Sequence, residues 1–241
     1  MKVIGHRGAC GYEIENSLQS LIRAVEMGAD GIEFDVRLTK DRVPILIHDD
    51  TLDRTTPQSG RVADITFPDL RAVCDWNAVP SLEEALQTIS SAMGASKASE
   101  ELLVNVELKE NAAVEPTRQV LLHAVENSTL RSQQILVTSF DHDALTRYRA
   151  ISQGDSTRFN VGVLTKGLPD EAYWQTAAEL EAVSANIDLN SVDANFVATA
   201  HARSLLVMVY TVNSVDDANQ MRELGVDAIF SDFPDRVAQT S

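Results

Sequence analysis

This sequence predicts an α/β fold, a (β/α)8 TIM-type barrel with a small insertion after the second strand. Three observations carry that expectation. Short β-like runs alternate with amphipathic helical patterns from one end of the chain to the other. The strand-like runs number eight within 241 residues, each followed by a helix or a short helical tail. No Gly/Ser tract or low-complexity segment divides the chain, so one domain over 1–241 is expected. A doubly wound open sheet shares the same alternation, and periodicity by itself does not separate the two.

The strand candidates are 2–5, 31–38, 102–109, 134–140, 158–165, 182–188, 205–212 and 228–232. Between them the apolar residues fall at helical spacing. Leu18, Leu21, Ile22 and Val25 form one stripe, with Gly28 as its stop. Leu82, Ala85, Leu86, Ile89 and Met93 form a second, opened by Ser81 with Glu84 three residues later, a capping box. Val215, Ala218, Met221 and Leu224 form a third, with Ser214 as N-cap and Gly225 just past the end. Helices near 116–125, 143–151, 171–180 and 193–203 are less sharply written. The stretch 49–79 is longer than an ordinary strand-to-helix loop and carries Thr-Thr-Pro, Ser-Gly and Phe-Pro turn signals, so it reads as a small lobe over the strand ends.

Composition excludes several classes of function. Twenty Lys+Arg against 36 Asp+Glu leave a net charge of -16, which argues against nonspecific binding to nucleic acid or anionic membranes. A hydrophobic fraction of 44% with 23% charged residues suits a soluble globular protein rather than a disordered one. No apolar run approaches the roughly 20 residues that span a bilayer, and the run after Met1-Lys2 is too short for a signal peptide. Cys10 and Cys74 are too few for a disulfide framework and read as free thiols. The expected protein is cytoplasmic, with no nucleic-acid partner and no stable membrane association.

The chemistry concentrates in a few runs. In Gly31-Ile-Glu-Phe-Asp-Val-Arg-Leu38, Glu33 and Asp35 are two apart and share one face of a strand. In a barrel strand both faces are covered, so adjacent inward carboxylates need a cation or shift toward the neutral form. Oxygen ligands of this kind suit Mg²⁺ or Ca²⁺ better than zinc. In Val104-Asn-Val-Glu-Leu-Lys109, Asn105, Glu107 and Lys109 likewise share a face, so Glu107 supplies a third carboxylate and Lys109 a holder for an anionic group such as phosphate. His6 and His48 both end apolar strand-like runs and flank the acidic strand in sequence, placing a general acid and a general base within reach of one reaction. Arg7 offers a fork for phosphate oxygens, and Gly8 and Gly11 let the next loop turn tightly. His123, His142 and His201 read as structural.

His6-Arg7-Gly8, Glu15-Asn16-Ser17, Glu33-x-Asp35, His48-Asp49-x-x-Leu52-x-Arg54-Thr55-Thr56, Pro80-Ser81-Leu82-Glu83-Glu84-Ala85-Leu86, Glu107-x-Lys109, Tyr210-Thr-Val-Asn213 and Gly225-Val-Asp-Ala-Ile-Phe-Ser-Asp232 resemble, in that order, the motifs of the glycerophosphodiester phosphodiesterase family. The resemblance runs from residue 6 to about 235. It implies a TIM-type barrel that hydrolyses glycerophosphodiesters to glycerol 3-phosphate and an alcohol. It also implies one divalent cation on Glu33, Asp35 and Glu107, phosphate on Arg7 and Lys109, and His6 and His48 as the acid–base pair, with His6 assigned as base. Similarity to phosphoinositide-specific phospholipases implies attack by the glycerol 2-hydroxyl and a cyclic phosphate that water opens. Two positions depart from the family: Ile14 stands where Pro is usual, and Tyr210 where Trp is common, as an aromatic wall for glycerol.

Two other classes of function compete. A phospholipase-D-like enzyme acting on lysophospholipids would share barrel and metal but need an apolar channel and a membrane-facing rim, and no hydrophobic or basic surface helix is evident. A non-catalytic phosphate-binding barrel would have no need of the histidine pair.

Overall fold

The structure is a computed structural model that describes residues 1–75, 77–94 and 102–238. Eight parallel strands form the barrel: β1 (Lys2–Gly5), β2 (Gly31–Leu38), β4 (Leu103–Leu108), β5 (Ile135–Ser139), β6 (Asn160–Thr165), β7 (Ser184–Asp188), β8 (Leu206–Tyr210) and β9 (Ala228–Ser231). Each pairs with the next, and β1 pairs in parallel with both β2 and β9. That double pairing closes the sheet and decides the question periodicity left open. The extended run ending at His48 adds β3 (Pro44–Leu46), which lies antiparallel on β2. Its Pro44 opens the strand, a position that asks least of the missing N–H.

The helices α1 (Leu18–Glu26), α3 (Leu82–Gly94), α4 (Val114–Glu126), α5 (His142–Ile151), α6 (Glu171–Glu179), α7 (Ala194–Ala202) and α8 (Val215–Leu224) surround the barrel. Their starts follow capping chemistry. Ser17, Asp141, Asp170, Asp193 and Ser214 each accept a backbone N–H with the side chain, and Gly225 takes the left-handed conformation after α8. At α3 the capping box forms as the spacing predicts: Ser81 Oγ accepts from Glu84 N, and Glu84 Oε2 accepts from Ser81 N at 2.8 Å. The expected strand at 205–212 is shorter than its apolar run, ending at Tyr210.

Strand alternation sorts the core into two. Outward residues such as Ile32, Phe34, Val104, Val106, Val137, Val163, Val207 and Ile229 pack with Leu21, Leu86, Leu121 and Leu145 of the helices. Inside the barrel, Ile4, Leu136, Met208, Ala228 and Phe230 form an apolar plug. Above it, toward the C-terminal ends of the strands, the inward positions turn polar, which is where barrel enzymes carry their chemistry.

Segment 49–79 has more order than its turn signals suggest. It contains α2 (Phe67–Val73), capped by Thr66, and its Phe-Pro pair begins that helix rather than a turn, because Pro is pre-organised for the first helical turn. Ile45, Ile47, Leu52, Val62, Leu70 and Val79 form a separate apolar cluster beneath it. A last short helix, α9 (Pro234–Val237), follows β9. Among the described residues no helix is long and apolar enough to cross a membrane.

Candidate active site

Strand register brings the acidic residues together. Asp35 of β2 and Glu107 of β4 are register partners, as are Glu33 and Asn105. Carboxylate oxygens of Glu33, Asp35 and Glu107 lie within 4.8 Å of one another. Lys109 Nζ donates to Glu107 Oε1 at 2.6 Å and lies 3.4 Å from Asp35 Oδ1. Arg7 Nε lies 3.2 Å from Asp35 Oδ2, and Asn16 clasps the same residue, donating to Oδ2 at 2.8 Å and accepting from its backbone N–H at 3.0 Å.

The loop after β1 is shaped to aim Arg7. Its backbone is left-handed at φ 50, and Asn16 is left-handed at φ 60. Arg7 N donates to Glu33 Oε2 at 2.8 Å, and its carbonyl accepts from Asn16 N and Ser20 Oγ. Gly8 is required beside it, because a Cβ there would fall 2.4 Å from Ser20 Oγ. The guanidinium is thus returned toward Asp35 and also donates to Glu15 at 2.8 Å.

The two histidines are held in the same way. His6 Nδ1 lies 2.7 Å from Asp232 Oδ1, and His48 Nδ1 lies 2.7 Å from Asp49 Oδ1. A carboxylate on Nδ1 selects the tautomer that leaves Nε2 free for proton transfer. Each carboxylate is itself anchored. Asn213 Nδ2 donates to Asp232 Oδ2 at 2.7 Å and Cys10 Sγ to Oδ1 at 3.0 Å, while Arg54 donates to Asp49 at 2.6 Å and pairs with Glu15.

Electrostatics separate these groups. Burial and the Asp35 charge push the Glu33 carboxyl up, and the same two causes raise Glu107. Burial works against Asp35 too, but Lys109 and Arg7 outweigh it and hold Asp35 low. Three carboxylates packed this closely cannot all stay ionised unless a cation joins them. Burial opposes the charged form of His6, yet the Asp232 hydrogen bond and the Glu33 charge raise it overall. His48 is lowered, chiefly by burial. Asp232 is held low despite burial by its hydrogen bonds from His6, Cys10 and Asn213.

The carboxylate group fits a hard divalent cation. Its donors are all oxygens, and Glu33 Oε1 is buried with no hydrogen-bond partner, a polar atom that calls for a ligand. Glu33, Glu107 and both imidazoles border one cavity of about 500 Å³, lined also by Ser139, Phe140, Leu164, Lys166, Tyr210 and Phe230. Phe140 and Tyr210 meet edge to face at 5.8 Å and form its aromatic wall.

His6, Arg7, Glu33, His48, Glu107 and Lys109 all line this cavity, and Asp35 lies directly beneath, in contact with Arg7 and Lys109. His123, His142 and His201 stand elsewhere, bonded to Asn127, the Leu164 carbonyl and Asp227. Sequence reasoning gave no role to Asp232, Asn213, Asp49, Arg54, Glu15 or Asn16. All six stand in the motifs quoted above, which was the signal available for them.

The profile of the glycerophosphoryl diester phosphodiesterase family matches residues 6–236. A glycerophosphodiester phosphodiesterase of Bacillus altitudinis is 31% identical, covering 99% of this chain and 97% of that protein. Another from Caldanaerobacter subterraneus is 29% identical, covering 97% and 94%. Among solved structures, an Oleispira antarctica phosphodiesterase in complex with its product sn-glycerol-3-phosphate superposes with a TM-score of 0.84 at 26% identity, covering 98% of this chain and 95% of that one. With a closed barrel and a match over nearly its whole length, the chain belongs to the glycerophosphoryl diester phosphodiesterase family, whose members are phosphoric diester hydrolases.

Proposed function

We propose that this protein hydrolyses glycerophosphodiesters to glycerol 3-phosphate and an alcohol, with Mg²⁺ or Ca²⁺ held by Glu33, Asp35 and Glu107 and with His6 and His48 as the acid–base pair. One observation carries the reading. Two imidazoles, each with a carboxylate on Nδ1, border the cavity that Glu33, Glu107, Arg7 and Lys109 also line, with Asp35 against Arg7 and Lys109. The product bound in the Oleispira antarctica phosphodiesterase is of the same chemical class.

In this reading Arg7 and Lys109 hold the phosphoryl oxygens and stabilise the charge that redistributes over them. His6 takes a proton at Nε2 from the glycerol hydroxyl next to the phosphate as that oxygen bonds to phosphorus, and His48 delivers one to the leaving alcohol. Water, giving its proton to His48, then opens the cyclic phosphate while His6 returns its proton to the glycerol oxygen, and glycerol 3-phosphate is released. A bound cation supplies Lewis-acid polarisation of a phosphoryl oxygen and offsets the carboxylate field that holds His6 toward its charged form. Phe140 and Tyr210 offer ring surface to the glycerol carbons. The proposal takes the chain as one barrel domain with 49–79 as an insertion, which contributes Asp49 and Arg54 to the mouth. It sets the reaction in the cytoplasm, where the free thiols of Cys10 and Cys74 stay reduced.

The test is a panel of glycerophosphodiesters bearing choline, ethanolamine, glycerol or inositol, assayed with and without Mg²⁺ or Ca²⁺, with glycerol 3-phosphate as readout. Cation-dependent release of glycerol 3-phosphate from at least one member is expected. Release from none of them, with turnover of a lysophospholipid instead, would overturn the reading.

A further inference from the structure

Apart from the carboxylate group, one other set of metal-ligating side chains converges among the described residues: His6, Cys10 and Asp232, with donor atoms all within 4.8 Å of one another. We propose that these three residues form a second cation site, suited to Zn²⁺, whose occupation withdraws His6 from the reaction.

The donor set differs in kind from the first. Imidazole, thiolate and carboxylate together select a borderline-soft ion, whereas three carboxylates select a hard one. The geometry is close to what such an ion needs. Asp232 Oδ1 lies 2.7 Å from His6 Nδ1 and 3.0 Å from Cys10 Sγ, so imidazole and thiol converge on a single oxygen. Zinc bonds of roughly 2.0–2.3 Å to N, O and S would require these atoms to separate by less than about an ångström.

The cluster is also pre-built. Asn213 steadies the other Asp232 oxygen at 2.7 Å. Gly11 N donates to the Asp232 carbonyl at 2.9 Å. A Cβ on Gly11 would fall 2.2 Å from the Phe233 ring, so only glycine lets the loop lie against this segment and bring Cys10 over Asp232. The His6 and Asp232 side chains are 18% and 26% exposed, open to an ion from solvent.

Charge balances as well. Zn²⁺ with neutral imidazole, thiolate and carboxylate sums to zero, the thiol proton leaving to solvent and the imidazole proton passing from Nδ1 to Nε2. Coordination at Nδ1 keeps the His6 proton on Nε2, where no lone pair remains to accept one from substrate. That consequence rests on the base role proposed for His6; binding of the ion does not.

The experiment titrates ZnCl2 into the Mg²⁺-saturated enzyme against a chromophoric zinc chelator, comparing wild type, Cys10→Ser and Cys74→Ser. One zinc per chain is expected in wild type and Cys74→Ser, with affinity about tenfold or more weaker in Cys10→Ser. In wild type alone, zinc should protect Cys10 but not Cys74 from iodoacetamide, read by mass spectrometry, so the test stands even where Cys10→Ser fails to fold. Unchanged affinity in Cys10→Ser, or no protection of Cys10, overturns the site. Zinc bound through Cys10 with turnover undiminished overturns its effect on His6.

Discussion

Nδ1 of His6 lies 2.7 Å from Oδ1 of Asp232 although 226 positions separate the two residues. The contact forms at the seam that closes the barrel, where β1 pairs with β9 and Gly5 stands against Ser231. Each residue follows directly on its strand, so both arrive at the same corner of the mouth. The matching contact on the other imidazole, His48 to Asp49, is between sequence neighbours.

Asp232→Asn should therefore lower kcat by roughly two orders of magnitude, as for a misoriented acid–base group, with KM within about threefold of wild type. Steady-state kinetics on a glycerophosphodiester, with a melting curve to confirm folding, measure this. Near-normal turnover would mean that His6 does not depend on Asp232.

Loss of either imidazole should be at least as costly. His6→Ala and His48→Ala are each expected to reduce kcat by roughly two to four orders of magnitude. Substrate binding should change far less, because Arg7 and Lys109 remain in the cavity. A variant that keeps normal turnover at neutral pH removes that histidine from the mechanism.

For the cation, dialysis against a chelator should abolish activity, and Mg²⁺ or Ca²⁺ should restore it. Glu107→Gln should raise the half-saturating cation concentration by about tenfold or more, since it removes one of the three proposed oxygen ligands. Full activity in the chelated enzyme would contradict the assignment of Glu33, Asp35 and Glu107.

Glu15 yields a stability prediction with a definite sign. Burial works against its charge, but Arg54 and Arg7 outweigh burial and lower its pKa. A carboxyl lowered on folding stabilises the fold above its unfolded pKa of about 4.3, and that contribution disappears as pH falls through the folded value. Glu15→Gln lacks the charge at every pH. Its Tm should lie about 1–3 °C below wild type at pH 7, the scale of a modest ion pair in a domain of this size. The gap should close as the pH is taken down through the acid range, in melts recorded from pH 7 to pH 3. A gap that persists unchanged at pH 3 would show that charge is not its origin.

Substrate choice should follow the glycerol. Glycerophosphocholine-type diesters are expected to exceed bis(p-nitrophenyl) phosphate in kcat/KM, because in the proposed mechanism positioning the neighbouring hydroxyl would account for several kcal/mol of the barrier. Equal rates on a diester without glycerol would show that this hydroxyl takes no part.

Much of the molecule was legible from local pattern. Alternation in 31–38 and 104–109 was enough to put Glu33 with Asp35, and Glu107 with Lys109, on common faces, because side-chain direction in a strand depends only on parity. Ser81 with Glu84, and Ser214 with Gly225, marked helix ends, because capping is chemistry between residues a turn apart. What pattern could not reach was anything that depends on how the strands meet. Closure of the sheet rests on β1 pairing with both neighbours. The pairing of Asp35 with Glu107 rests on a register shared by two strands far apart in sequence. Asp232 and Asn213 gained a purpose only when β9 came to lie against β1, carrying a carboxylate to the His6 ring. Backbone periodicity is a short-range property and can be read one segment at a time. Hydrogen bonds among side chains form across space, so the partners of His6, Arg7 and Asp35 were decided by the closed barrel.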